Sequence, residues 1–137
     1  MIKKILFLSA LMFSACSSVE DVPLPVTTSS EKALQLYNEA LEYGDKWEGR
    51  EAQQKMAAAL RIDPNFILAN LSAGSEDPAL VRQYRGRAIE NKSKGTEAEE
   101  IQVDIWVASR EGRRKDAMDL AKKLIEKYPN SSEPYIM

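Results

Sequence analysis

Apolar residues along the chain fall into two regimes. Between Ile5 and Phe13 they form a run broken only by Ser9. From about Glu31 they recur every three or four residues with charged and amide side chains between them, which is the spacing of an amphipathic helix. Thr28 with Glu31 fits a capping box, and Ala33, Leu36, Ala40, Leu41 and Tyr43 then share a stripe that Gly44 is placed to end as C′ residue. Ala52, Met56, Ala59 and Leu60 mark a second helix, stopped by the turn Asp63-Pro64-Asn65. A short apolar helix is predicted around 66–73. Asp77-Pro78 supplies an N-cap and an N1 proline for a fourth helix through about Asn91. After Gly95, Thr96 with Glu99 forms another capping box and opens a helix carrying Ile101, Ile105, Trp106 and Ala108. Gly112 breaks it, and a last helix runs from about Arg113 to Lys127, before Pro129. No alternating β-branched run interrupts this all-α reading.

The pattern repeats. Shifting the chain by about 65 residues brings Leu36 onto Ile101, Ala40 onto Ile105, Tyr43 onto Ala108, Ala52 onto Ala117, Met56 onto Ala121, Ala59 onto Leu124 and Pro64 onto Pro129. Two units of about 34 residues would shift it by about 68, so the middle unit is a shortened copy. Small residues at Ala40, Ala52 and Ala59 let paired helices approach, while Tyr43, Met56 and Leu60 fill the space between them. The expected architecture is an antiparallel helix-hairpin solenoid of about three helix pairs over residues 31–137. A generic helical bundle is the plainer alternative.

Residues 31–129 resemble the tetratricopeptide repeat. The resemblance is carried by Ala40, Tyr43, Ala52, Met56, Ala59-Leu60 and Pro64, and again by Gly112, Ala117, Leu124-Ile125 and Tyr128-Pro129. The middle unit lacks most of these residues, and Ala108 stands where tyrosine is usual. Ile62-Asp63-Pro64-Asn65-Phe66, the Trp106 helix and Leu124 to Pro129 are similar to tetratricopeptide lipoproteins of Bacteroidetes. The resemblance implies a concave groove, lined by the first helix of each pair, that holds an extended peptide or a partner helix. Its positions here are Tyr37, Asn38 and Leu41 on the first helix and Gln102, Trp106 and Arg110 on the fifth. Asn38 falls where peptide-clamping members carry an asparagine that binds backbone. Asn38 as an ordinary solvated residue and Trp106 as core are the plainer readings.

The first regime reads as a leader. Lys3-Lys4 precede an apolar stretch too short for the roughly 20 residues a membrane-spanning helix needs, yet suited to a secretory signal. Ser14-Ala15-Cys16 resembles a bacterial lipobox, with Phe13 departing from the usual leucine. The resemblance implies residues 1–15 as a signal peptide and lipidation of Cys16 through a thioether to diacylglycerol. A cleavable signal with Cys16 as bystander is the alternative. Ser17, rather than aspartate, points to the outer membrane. Glu20-Asp21 resembles the acidic signals of surface-exported lipoproteins, so the domain faces either periplasm or cell surface. Residues 16–30, with Pro23 and Pro25, read as lipidated cysteine and flexible linker, reaching at most about 50 Å.

Composition narrows the chemistry. The chain has no histidine and one cysteine, which excludes histidine-dependent catalysis, histidine metal sites, internal disulfides and cysteine zinc sites. A net charge of −2, more negative without the leader lysines, gives no general attraction to nucleic acid. No phosphate loop, nucleophile elbow or metal motif appears, so neither cofactor nor enzymatic activity is expected. Glu97, Glu99 and Glu100 read as exposed acids at a helix start, and Lys122, Lys123 and Lys127 as dipole-matched cations at a helix end. Arg110 to Lys115 reads as a solvated turn, or as a surface for an anionic lipid or an acidic partner. Ser132-Glu133-Pro134 would open a further helix, so the last pair is expected either to continue into a longer repeat protein or to be covered by self-association or another subunit. Two functions follow as expectations. One is a lipid-anchored scaffold that binds a protein or peptide partner. The other is an assembly subunit whose open repeat end is completed by another chain.

Overall fold

A computed structural model describes residues 21–131; Cys16, the leader and residues 132–137 lie outside them. The described residues form six α-helices and no strand: α1 (Glu31–Asp45), α2 (Gly49–Ile62), α3 (Ile67–Ser72), α4 (Pro78–Asn91), α5 (Glu97–Arg110) and α6 (Arg114–Lys127), with a 3-10 turn at Lys92–Lys94. Three of the predicted starts are capped by side chains. The Asp77 carboxylate accepts from the Ala79 N–H, with Pro78 behind it, and Thr96 and Glu99 close a reciprocal box, satisfying donors a helix start leaves open. At α1 the cap is Ser30, whose hydroxyl accepts from the Ala33 N–H. The predicted Thr28–Glu31 box is absent because the Thr28 hydroxyl donates to Asp63 instead, at 2.7 Å. Gly44 is likewise helical, and α1 runs on to Asp45.

Helices pack pairwise, α1 on α2, α3 on α4 and α5 on α6, while α3 also touches α2 and α5. The first and last pairs repeat each other in backbone detail. The Trp47, Glu48, Ala52, Asp63 and Phe66 N–H groups donate to the carbonyls of Gly44, Tyr43, Glu48, Ala59 and Asp63. Sixty-five positions on, Gly112, Arg113, Ala117, Tyr128 and Ser131 donate to Ser109, Ala108, Arg113, Leu124 and Tyr128. The sequence shift is therefore also a structural one. It covers both turns and both ends of the second helix in each pair.

Burial places the α1 stripe one residue from its predicted centre. Ala33, Tyr37 and Ala40 are buried, and Leu36 is half-buried. The larger core gathers Ala33, Tyr37 and Ala40 with Met56, Leu60, Phe66–Ala69, Leu71, Ala73, Tyr84, Ala88 and Val103. A second core holds Ala98, Ile101, Ile105, Ala108, Ala117 and Leu124, together with Leu24. Gly95 allows close packing beside it, since a Cβ there would stand 2.5 Å from Ile67 Cδ1 and 2.6 Å from Glu99 Oε2.

Leu24 belongs to the segment read as a free linker. Residues 21–30 instead lie along the helical body as a strap. Val22 N–H donates to the Asn130 carbonyl at 2.9 Å, and Leu24 is 3% exposed. The Pro25 carbonyl accepts from the Thr96 hydroxyl, and the Thr27 N–H donates to Glu99 Oε1. Thr28 and Ser29 bind Asp63 Oδ2. Extended backbone is what Pro23 and Pro25 favour. Its docking follows from these partners, which tie the start of α1 to the end of α2, the start of α5 and the turn after α6.

Candidate functional site

The six groove positions separate into two groups. On α1, Tyr37 is buried with its ring centroid 4.9 Å from that of Phe66, so it is a core residue and not a groove liner. Leu41 is half-buried against the same core. Only Asn38 is exposed, in an open depression of α1 with Glu31, Leu34, Gln35, Glu39 and Glu42. On α5, Gln102, Trp106 and Arg110 follow one another at four-residue intervals and so share a face. Trp106 and Arg110 interact directly, with the guanidinium 5.7 Å from the ring centroid.

Arg85 completes this second group. It comes from α4, and its guanidinium stands 5.8 Å from the same indole centroid. Arg85 Nη1 also donates to the Asn70 carbonyl of α3 at 2.5 Å. Asn70 is itself fixed, donating Nδ2 to the Pro64 and Phe66 carbonyls. Three helices thus place two permanent cations on one half-buried indole, an arrangement favoured by the negative face of the ring. Burial pushes the Arg85 pKa down, and the Arg110 charge pushes it further. Neither arginine has a carboxylate partner among the described residues. The nearby Asp104 of α5 is committed to Lys92. Gln102 Nε2 is buried without an acceptor, so turning that amide outward sacrifices no bond already made. Arg85 was not legible as a member, because nothing in the spacing of α4 indicates which residue meets Trp106.

The acidic residues at the start of α5 do not form a site of their own. Glu99, expected to be exposed, is 0% exposed and accepts the Thr27 and Thr96 N–H groups. Glu97 pairs with Lys123 and Lys127 across the hairpin; the hydrogen bond from Lys127, then that from Lys123, lowers its pKa. These lysines are therefore partners of Glu97 as well as dipole-matched cations. In the basic turn, Arg113 pairs with Glu111 and Asp116, leaving Arg110 as the residue turned toward Trp106.

No sequence pattern singles out Trp47. It is 95% exposed and takes a left-handed backbone, φ 62°, where its structural counterpart is Gly112 at φ 74°.

Among the described residues no group of three or more His, Cys, Asp or Glu side chains could hold a metal, and no helix is long and apolar enough to cross a membrane. What the α4–α5 face can do chemically is bind: it offers an apolar ring and two positive charges, Arg85 anchored on Asn70 and Arg110 exposed. Comparison with protein-family models, with curated proteins and with solved structures finds no match to this chain.

Proposed function

We propose that this chain is a non-catalytic interaction scaffold of the bacterial cell envelope, a tetratricopeptide-like stack of helix hairpins held at the outer membrane by lipid on Cys16. Its partner is a protein or peptide that docks on the face formed by Gln102, Trp106, Arg110 and Arg85. The observation that carries this reading is the Arg85–Trp106–Arg110 cluster, in which an aromatic ring and two uncompensated cations meet on a half-buried surface. Tryptophan and arginine are the side chains that dominate protein-binding hot spots. The repeating hairpins support the stacked architecture, and the lipobox resemblance supports the address.

The test places a photoreactive amino acid at position 102 of the full chain in a bacterial envelope and a control at Met118, which is exposed on α6. A discrete protein adduct from position 102, absent from position 118, is expected, and absence of any adduct would sink the scaffold. Palmitate labelling that persists in Cys16→Ser would remove the anchor.

A further inference from the structure

We propose that Trp47 anchors a head-to-tail contact between copies of this chain, its indole seated on the basic α5–α6 turn of a neighbouring copy. The contact is separate from the α4–α5 face and stands or falls without it. Among the described residues Trp47 is the most exposed large apolar side chain, at 95%, and the one non-glycine residue with positive φ. Its own fold gives the indole no burial and opposes its backbone. Strain of this kind gathers at functional positions.

Charge points to the occupant. Within five residues of Trp47, the acids Glu42, Asp45, Glu48 and Glu51 stand against the cations Lys46 and Arg50, a local charge of −2. Within five residues of Gly112, its structural counterpart, Arg110, Arg113, Arg114 and Lys115 stand against Glu111 and Asp116, a local charge of +2. Both sets oppose the dipoles of their own helices. Glu42 and Asp45 occupy the last turn of α1, which holds no basic residue, and Arg114 and Lys115 occupy the first turn of α6. The favoured arrangement is the reverse. These charges do little for the helices that carry them, yet each turn complements the other.

Trp47, at this exposure, does not meet the α5–α6 turn of its own chain, so the complement comes from a second copy. Anchor and seat lie on different hairpins, which makes the contact heterologous. Arg114, exposed at the start of α6, offers the indole a guanidinium, the group already drawn to Trp106. Lys115 is left for the acids around Trp47. One turn on one turn is a small, weak interface, and copies tethered to one membrane meet at a raised effective concentration.

The test uses the full chain in a bacterial envelope, with a photoreactive amino acid at position 49, where a Cβ meets nothing within 4 Å. The expected product is an adduct of two copies whose crosslinked peptide contains residues 110–116 of the second. Trp47→Gly suits the left-handed backbone and should fold at least as firmly, yet lower the adduct yield about tenfold or more, the loss of one binding anchor. Arg114→Glu should do the same. Direction is read with two differently tagged copies. A probe on an Arg114→Glu copy should still capture a Trp47→Gly copy, because an intact indole meets an intact turn. With the probe moved to the Trp47→Gly copy, capture should be lost. No two-copy adduct, an undiminished one in Trp47→Gly, or one joining position 49 to residues 42–51 of the second copy would overturn the contact. Adducts with lipid or with a different protein alone would overturn it too, and leave the α4–α5 face untouched.

Discussion

In the turn between α1 and α2 the left-handed position is held by Trp47, and in the matching turn between α5 and α6 by Gly112. The bonds made by each of these residues and by the one after it match, Trp47 and Glu48 donating to Gly44 and Tyr43 as Gly112 and Arg113 do to Ser109 and Ala108. Glycine adopts such a backbone without penalty, while for other L-residues it costs roughly 1–2 kcal/mol. An indole 95% exposed recovers none of that by burial. The comparison shows where the geometry of a hairpin is decided. It comes from the ends of the two helices and their shared hydrogen bonds, which impose the turn even on a residue that opposes it. Inside the pairs the same freedom operates in reverse: Ala59 and Leu124 are equivalent and both 0% exposed, so one frame closes around very different volumes.

The sharpest way to break the equivalence is Leu124→Ala, which writes the residue of the first pair into the second. If the second frame cannot close around alanine, stability falls by about 2–5 kcal/mol, read by urea unfolding. A loss under about 1 kcal/mol would show that both pairs adapt alike.

A smaller effect is expected at Asp63, whose counterpart Tyr128 has no carboxylate. Asp63→Ala should cost about 1.5–3 kcal/mol, the range for hydrogen bonds to a charged group, and should open residues 21–30 to proteolysis. Burial raises the Asp63 pKa, but the bonds from Thr28, Ser29 and Asn65 together outweigh it and the net shift is downward. A depressed carboxyl contributes stability that is present above its unfolded pKa and lost as pH falls through the folded one. The strap should therefore stay docked at neutral pH and loosen only below the ordinary aspartate range, and Asp63→Ala should remove that acid limb. Strap proteolysis that rises equally with acid in both proteins would contradict the assignment.

The turn residues give the smallest effect and the clearest sign. Gly112→Ala should destabilise by about 1 kcal/mol through backbone strain alone, since its Cβ meets nothing within 4 Å. Trp47→Gly should stabilise by up to about 1 kcal/mol. Thermal unfolding that moves both variants in the same direction would dissolve the comparison.

Much of the helical frame could be read in advance because its signals are local. Pro64, Pro78, Asp77 and the Thr96–Glu99 pair each act within a few residues, and the 65-residue shift needs only the chain itself. What escaped depends on residues far apart in sequence. Thr28 looked like a cap until Asp63, 35 positions away, claimed its hydroxyl. Glu99 looked exposed because the strap that covers it lies 72 positions earlier. Family resemblance places Tyr37 in a groove, whereas its contact with Phe66 makes it core. Of the candidate site, Trp106, Arg110 and Gln102 came from the family resemblance, whereas Arg85 required knowing how α4 meets α5.

The docked strap has a consequence for how the molecule would be moored. An acyl group on Cys16 would precede Asp21 by five residues, a leash no longer than about 18 Å. The points that grip the strap (Asp63, Thr96, Glu99 and Asn130) gather where α5 begins and α2 and α6 finish. That end would be drawn down to the bilayer, with the Trp47 and Gly112 turns forming an opposite rim about 20 Å away along the helices. Arg110, the last residue of α5, would then stand near the rim, presented outward to whatever approaches from the aqueous side.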